Sequence, residues 1–192
     1  MKKIFLVLIL ALLHYSIGQS QIKPSSIGIS YFAEVGTHPG FRLFADFEKN
    51  LNPKVKNRKG LEKTIQRSFV LRPTIGYFHH KAYQNSFFVL PELGYKRVNH
   101  KGTLFSYGIG MGYMRSQIPQ VYQLNQSGEV EKTRTGNNRF ATNIHLAFGK
   151  DLSVRKSLPI SWMIKPQYWR TFPNTKGGIA YFFLEAGIAY HL

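Results

Sequence analysis

The side chains whose types best suit chemistry are two adjacent imidazoles, His79 and His80, with Ser86 a few residues on. A histidine near a serine hydroxyl is the beginning of a nucleophilic dyad, which needs the base in reach of the nucleophile and an acid to orient it. No Asp or Glu lies near these residues in the sequence. Paired histidines could also open a metal site, but here they lack carboxylate or thiolate company and read as loop histidines. The chain has no Cys, which excludes disulfides, thiolate metal centres and lipid attachment through a processed cysteine. Gly108, Gly110 and Gly112 form an alternating glycine run. A nucleotide loop would require a strand–turn–helix context that is missing, so the run reads as room inside a narrow barrel or a bend in a strand. No catalytic residue, cofactor or metal site is assigned.

The elements that would position these groups are strands. From Gly178 to Leu192 one alternate set is Ala180, Phe182, Leu184, Ala186, Ile188 and Tyr190, and the other contains Glu185, Gly187 and His191. Successive side chains of a strand point to opposite faces, so one face is apolar throughout and the other carries a carboxylate. The same alternation recurs in eight segments, near 26–35, 40–49, 67–78, 86–97, 103–115, 139–150, 159–171 and 178–192. In the second, Phe41, Leu43, Ala45 and Phe47 alternate with Arg42, Phe44, Asp46 and Glu48; in the seventh, Ile160, Trp162, Ile164 and Tyr168 alternate with Ser161, Met163, Lys165, Gln167 and Trp169. Pro73, Pro91 and Pro166 fall inside these segments, where a missing ladder donor predicts bulges or breaks.

Ahead of the strands, Met1, Lys2 and Lys3 precede an apolar run from Ile4 to Leu13, followed by the small or polar Ser16, Gly18 and Ser20. This is a secretory signal pattern and is too short to span a bilayer as a helix. Residues 1–20 are therefore expected to be a signal peptide and 21–192 one barrel domain. No later run approaches the ~20 apolar residues of a spanning helix, so a membrane position would require a closed barrel. The formal charge of +17, or +15 without Lys2 and Lys3, favours anionic partners. For a secreted chain these are lipid phosphates or lipopolysaccharide, and not nucleic acid.

With the apolar sets toward lipid, charge sorts to the lumen. Glu34, Arg42, Asp46, Arg72, Glu92, Lys165 and Glu185 all fall on the inner set. An eight-stranded barrel is just wide enough for side chains to fill it, so these groups are expected to form a packed ion-pair network and not an open channel. Tyr31, Tyr77, Tyr95, Tyr107, Tyr113, Tyr168 and Tyr190 lie near strand ends on the outer set, as interface belts do. Segments 50–66 and 116–138 are expected to be long loops, the first on the side of both termini and the second facing outward. Arg134, Arg139 and Lys176, in or beside the outward connections, are candidates to pair lipopolysaccharide phosphates.

Signal pattern, eight alternating strands and the ending Gly187-Ile188-Ala189-Tyr190-His191-Leu192 resemble the small outer-membrane β-barrel proteins of Gram-negative bacteria. The resemblance implies an all-β, eight-stranded antiparallel up-and-down barrel in the outer membrane, a monomer inserted by the barrel-assembly machinery. That machinery commonly reads a terminal Phe or Trp, where this chain has Leu192. The group includes adhesins, envelope stabilisers and lipid A-modifying enzymes, so shared fold does not choose a function. The His-x-Ser spacing expected of lipid A deacylases is absent around His79 and His80. The expectation is a structural or surface-interaction role without catalysis. The alternatives are a lipid A-modifying barrel enzyme, a small channel, or a soluble lipocalin-like carrier, which would turn the apolar set inward.

Overall fold

The computed structural model describes residues 23–34, 39–58, 61–80, 84–124, 129–172 and 178–192. The expected signal peptide and several connections therefore lie outside the described residues. Ten strand segments make one antiparallel sheet: β1 (Ser26–Glu34), β2 (Gly40–Arg58), β3 (Leu61–Arg72), β4 (Thr74–His80), β5 (Gln84–Val89), β6 (Glu92–Asn99), β7 (Thr103–Leu124), β8 (Val130–Asp151), β9 (Ile160–Phe172) and β10 (Ile179–His191). Proline sets the count. Pro73 separates β3 from β4, and Leu90 with Pro91 separates β5 from β6, so each pair is one broken strand. Around the ring there are then eight strands, each beside its sequence neighbour, and β10 closes on β1. This is the eight-stranded up-and-down barrel expected from the alternation.

The seam runs from Ser26↔His191 to Glu34↔Phe183, and Leu192 N–H donates to Ser25 O at 3.0 Å. The start of β1 and the end of β10 thus lie at one end of the barrel. The two proline breaks are neighbours in the wall. Ala45 N–H donates to Pro73 O at 3.3 Å, Leu90 N–H to Thr74 O at 2.8 Å and Met111 N–H to Pro91 O at 3.2 Å, so carbonyls carry the sheet across positions where proline offers no donor. Pro166 stays within β9. It keeps its place opposite Leu184 on β10, but the β8–β9 ladder is interrupted between His145↔Gln167 and Phe148↔Ile164.

The glycine run belongs to the same region. A Cβ at Gly108 would lie 2.5 Å from Leu93 O, and one at Gly112 would collide with Val89 O. β7 therefore approaches β5 and β6 more closely than a side chain permits. The β6–β7 turn is built locally: Asn99 Oδ1 accepts from Lys101 N and Thr103 N at 2.9 Å each, and Gly102 takes φ +76°, a conformation that favours glycine. A short helix, α1 (Ser153–Lys156), sits in the β8–β9 connection under the Asp151 carboxylate, which accepts from Ser153 N at 2.9 Å.

Two expected loops are strand instead. Residues 50–58 and 61–66 continue β2 and β3, paired as far as Arg58↔Leu61 with a bulge between Leu51 and Lys54. Residues 116–124 and 130–138 continue β7 and β8, paired to Leu124↔Val130 with a bulge between Ile118 and Val121. Both hairpins run past the barrel wall, one from each end. Along these extensions the strict apolar–polar alternation is lost from the sequence, while the ladder continues.

Candidate functional site

The inner parity of the strands brings charge from opposite walls into contact. Arg42 on β2 is fully buried and reaches Glu92 on β6, with Nη2 to Oε1 at 2.9 Å, and also Glu185 on β10 through Nη1. Lys165 on β9 joins the same two carboxylates, at 3.0 Å each. Polar side chains close the set. Ser30 Oγ donates to Glu185 at 2.7 Å, Gln167 Nε2 to Glu185 at 2.8 Å, and Asn143 Nδ2 to Glu92 at 2.8 Å. Gln167 Oε1 accepts from Trp169 Nε1 at 2.8 Å. Nearer the termini, Arg72 clasps Asp46 through two nitrogens, Nε at 2.5 Å and Nη2 at 2.8 Å, and lies over the Phe44 ring. Beyond that pair, Lys96 meets Glu48 at 2.7 Å and Ser68 Oγ donates to the same carboxylate at 2.8 Å. Arg42, Arg72, Lys96 and Lys165 thus stand against Asp46, Glu48, Glu92 and Glu185, four cations and four anions. Such balance lets low-dielectric burial be met by partner charges and not by neutralisation.

The other half of the interior is filled by rings. Phe32, Phe78, Phe88, Trp169, Tyr181 and Phe183 pack with Leu90 and Met114, all buried. Phe32 meets Phe183 edge-on with centroids 5.1 Å apart, and Phe88 meets Trp169 at 4.9 Å. The guanidinium of Arg42 sits within 6 Å of three of these rings, Phe32, Phe88 and Trp169, so cation–π contact joins the aromatic plug to the charge network. Between the network and the Asp46–Arg72 pair the space is about 30 Å³, room for about one water.

Of the residues expected in the lumen, Arg42, Asp46, Arg72, Glu92, Lys165 and Glu185 come together in this stack. Glu34 stands apart from it, half-buried at the far end of β1 opposite Phe183. Gln167, Asn143 and Ser30 belong to the network equally, and parity alone is the signal that could have found them. His145 is buried beside the network, with Nδ1 4.0 Å from Glu92 Oε1. Arg139 departs from expectation: its parity turns it inward, it is buried, and Nη1 donates to Tyr181 Oη at 3.3 Å. It is therefore not placed to meet a lipid phosphate. Arg134 lies in the β7–β8 hairpin, with its side chain outside the described residues, as is Lys176. His79 and Ser86 fall on opposite faces. Ser86 points inward, fully buried against Ser116 Oγ at 2.9 Å, while His79 contacts Asn85 through Nδ1. The sheet separates His79 from Ser86, and the side chain of His80 lies outside the described residues.

The outer face is the inverse of the interior. Leu43, Ile75, Ile109, Ile144, Ile164 and Leu184 are all exposed, Ile144 to 58% and Leu184 to 57%, and they come from six different strands around the ring. A lipocalin-like carrier would need this set inside around a ligand; here the interior is packed and charged.

No family model matches the chain, and no curated protein matches it. Among solved structures it is similar to the neisserial surface protein NspA, with 9% identity over 87% of this chain and 94% of that one, TM-score 0.46. It is also similar to the N-terminal β-barrel domain of OprF from Pseudomonas aeruginosa, with 10% identity over 88% and 98%, TM-score 0.40. A third is Ail, the attachment invasion locus protein of Yersinia pestis, with 12% identity over 87% and 95%, TM-score 0.39.

Proposed function

We propose that this chain is an integral outer-membrane β-barrel protein with a structural or surface-interaction role and no catalysis, delivered by a cleaved signal peptide at residues 1–20. The observation that carries the reading is the inversion of the barrel. Large apolar side chains cover its outside all the way round, and its ions are paired inside. In water that outside would be an apolar patch far beyond what a monomer exposes. In a bilayer it is the apolar band of a spanning barrel, and closure of the ring leaves no unpaired edge in lipid. Outer-membrane lipids and lipopolysaccharide are then the natural partners, with Arg134 and Lys176 as the phosphate-pairing residues at the end away from the termini.

Gel mobility before and after boiling, on protein from a purified outer-membrane fraction, tests this. A folded barrel resists detergent and shifts on boiling. A protein found in the soluble periplasm without such a shift would overturn the reading. Charge reversal at Arg134 and Lys176 that left lipopolysaccharide association unchanged would remove those two contacts from it.

A further inference from the structure

We propose that Arg67 and Arg97 form a clamp for the phosphate of an anionic phospholipid, at the rim of the apolar band on the end where β1 begins and β10 ends. The two arginines stand directly opposite each other on β3 and β6. Like charges at opposed positions of a sheet repel and are destabilising on their own. The interior arginines and lysines of the network each meet a carboxylate. These two meet none among the described residues. Arg67 donates from Nη2 to Asn52 O at 2.7 Å, and its Nε is buried with no partner. Arg97 is exposed and has no polar partner among the described residues. An anion held between two guanidinium groups turns the repulsion into two charge-assisted contacts, and the planar fork suits phosphate.

The surroundings identify the anion as a lipid headgroup. One step toward the apolar band, Phe69 and Tyr95 pack edge-on with centroids 6.1 Å apart, and Tyr95 packs on Tyr107 at 5.5 Å. Aromatic rings at that level mark the boundary between hydrocarbon and headgroups. From there an apolar furrow passes along the outer face, lined by Lys49, Phe69, Leu71, Leu93, Tyr95 and Tyr107. The phosphate would sit at the arginines and an acyl chain in the furrow. Lys49, opposite Phe69, adds a third cation, which favours a headgroup of net negative charge over one carrying its own amine.

This inference rests on the membrane reading above, and the test separates the two. The folded protein in maltoside micelles is titrated with dioleoylphosphatidylglycerol and, separately, with dioleoylphosphatidylcholine, and bound lipid is read by native mass spectrometry. The wild type is expected to retain one phosphatidylglycerol in preference to phosphatidylcholine. R67Q/R97Q is expected to lose roughly tenfold in that affinity, the scale of a charge-assisted contact. R155Q/K156Q, which removes the same charge from exposed positions in α1 at the same end, is expected to keep the preference. Equal retention by R67Q/R97Q, equal loss by R155Q/K156Q, no preference over phosphatidylcholine, or displacement by inorganic phosphate would each overturn the clamp. If R67Q/R97Q does not fold, R97Q at its exposed position is read instead, with a severalfold loss expected and no loss overturning the clamp. A wild type that folds and shifts on boiling but shows no lipid selectivity defeats the clamp alone. A wild type that does not enter micelles as a folded barrel defeats the membrane reading.

Discussion

Lys165 on β9 and Glu185 on β10 are directly opposite in the sheet register and are also joined as ions, Nζ to Oε2 at 3.0 Å. Backbone pairing and charge pairing therefore specify one and the same alignment. A slip of one residue would turn every side chain of a strand to the other face. It would turn Lys165 or Glu185 toward the apolar band and leave Arg42 and Glu92 with only each other.

Breaking this pair from one side should be costly. Lys165→Met is expected to destabilise the barrel by about 3–5 kcal/mol, because two buried carboxylates lose a shared cation. The charge-balanced double variant Lys165→Met/Glu185→Leu should lose less than the sum of its two single variants. Urea unfolding followed by tryptophan fluorescence in micelles measures all three, and simple additivity would contradict the coupled network.

On the opposite face, Ile144→Arg is expected to cost about 2–4 kcal/mol when unfolding is measured from lipid vesicles, the scale for a cation near the bilayer midplane. A water-facing position would tolerate the same change within about 0.5 kcal/mol. A near-neutral result would place that face in water.

The barrel was legible because alternation is strongest where one face is apolar and the other is not. Phe41, Leu43 and Phe47 against Arg42, Asp46 and Glu48 fix both the strand and its inner face. The lumen charges followed from the same parity. Their partners did not, because Arg42 meets Glu92 and Glu185 across the barrel interior, and such contacts depend on strand tilt and stagger. The hairpin extensions within 50–66 and 116–138 look like loops in the sequence, since a ladder without strict apolar–polar alternation carries no strand signal. Arg139 shows the reverse error. Its charge suggests an outward role, but one step along the strand from the exposed Phe140 its side chain faces the lumen.

The close approach of β7 to the proline-broken strands should make Gly112 intolerant of a side chain. Gly112→Ala is expected to cost about 1–3 kcal/mol, the range for overpacking, because the new Cβ meets the Val89 carbonyl oxygen. Gly136→Ala on β8 serves as the control, since nothing lies within 3.5 Å of the added atom: its nearest neighbour is Arg115 Nε at 3.6 Å. Thermal unfolding of the two variants side by side should separate them.

The packed interior predicts electrical silence. In planar bilayers the wild type is expected to show no unitary conductance steps, with Phe32, Phe88, Trp169 and Phe183 filling one half and paired ions the other. Regular steps of the size of a water-filled pore would mean that the aromatic plug is displaced in the membrane.

The seam between β1 and β10 has a kinetic meaning. It joins Ser26 to His191, so its contacts span almost the whole described chain, while the β7–β8 hairpin needs only the short connection after Leu124. Chain closure costs more entropy as the loop lengthens, and non-local pairing slows folding. The hairpins can form early and locally; the first and last strands must find each other after everything between them is in order. Until they do, β1 and β10 each present a row of unpaired backbone groups, which lipid cannot satisfy. For a barrel of this kind, completing the ring and becoming stable in a bilayer are a single event.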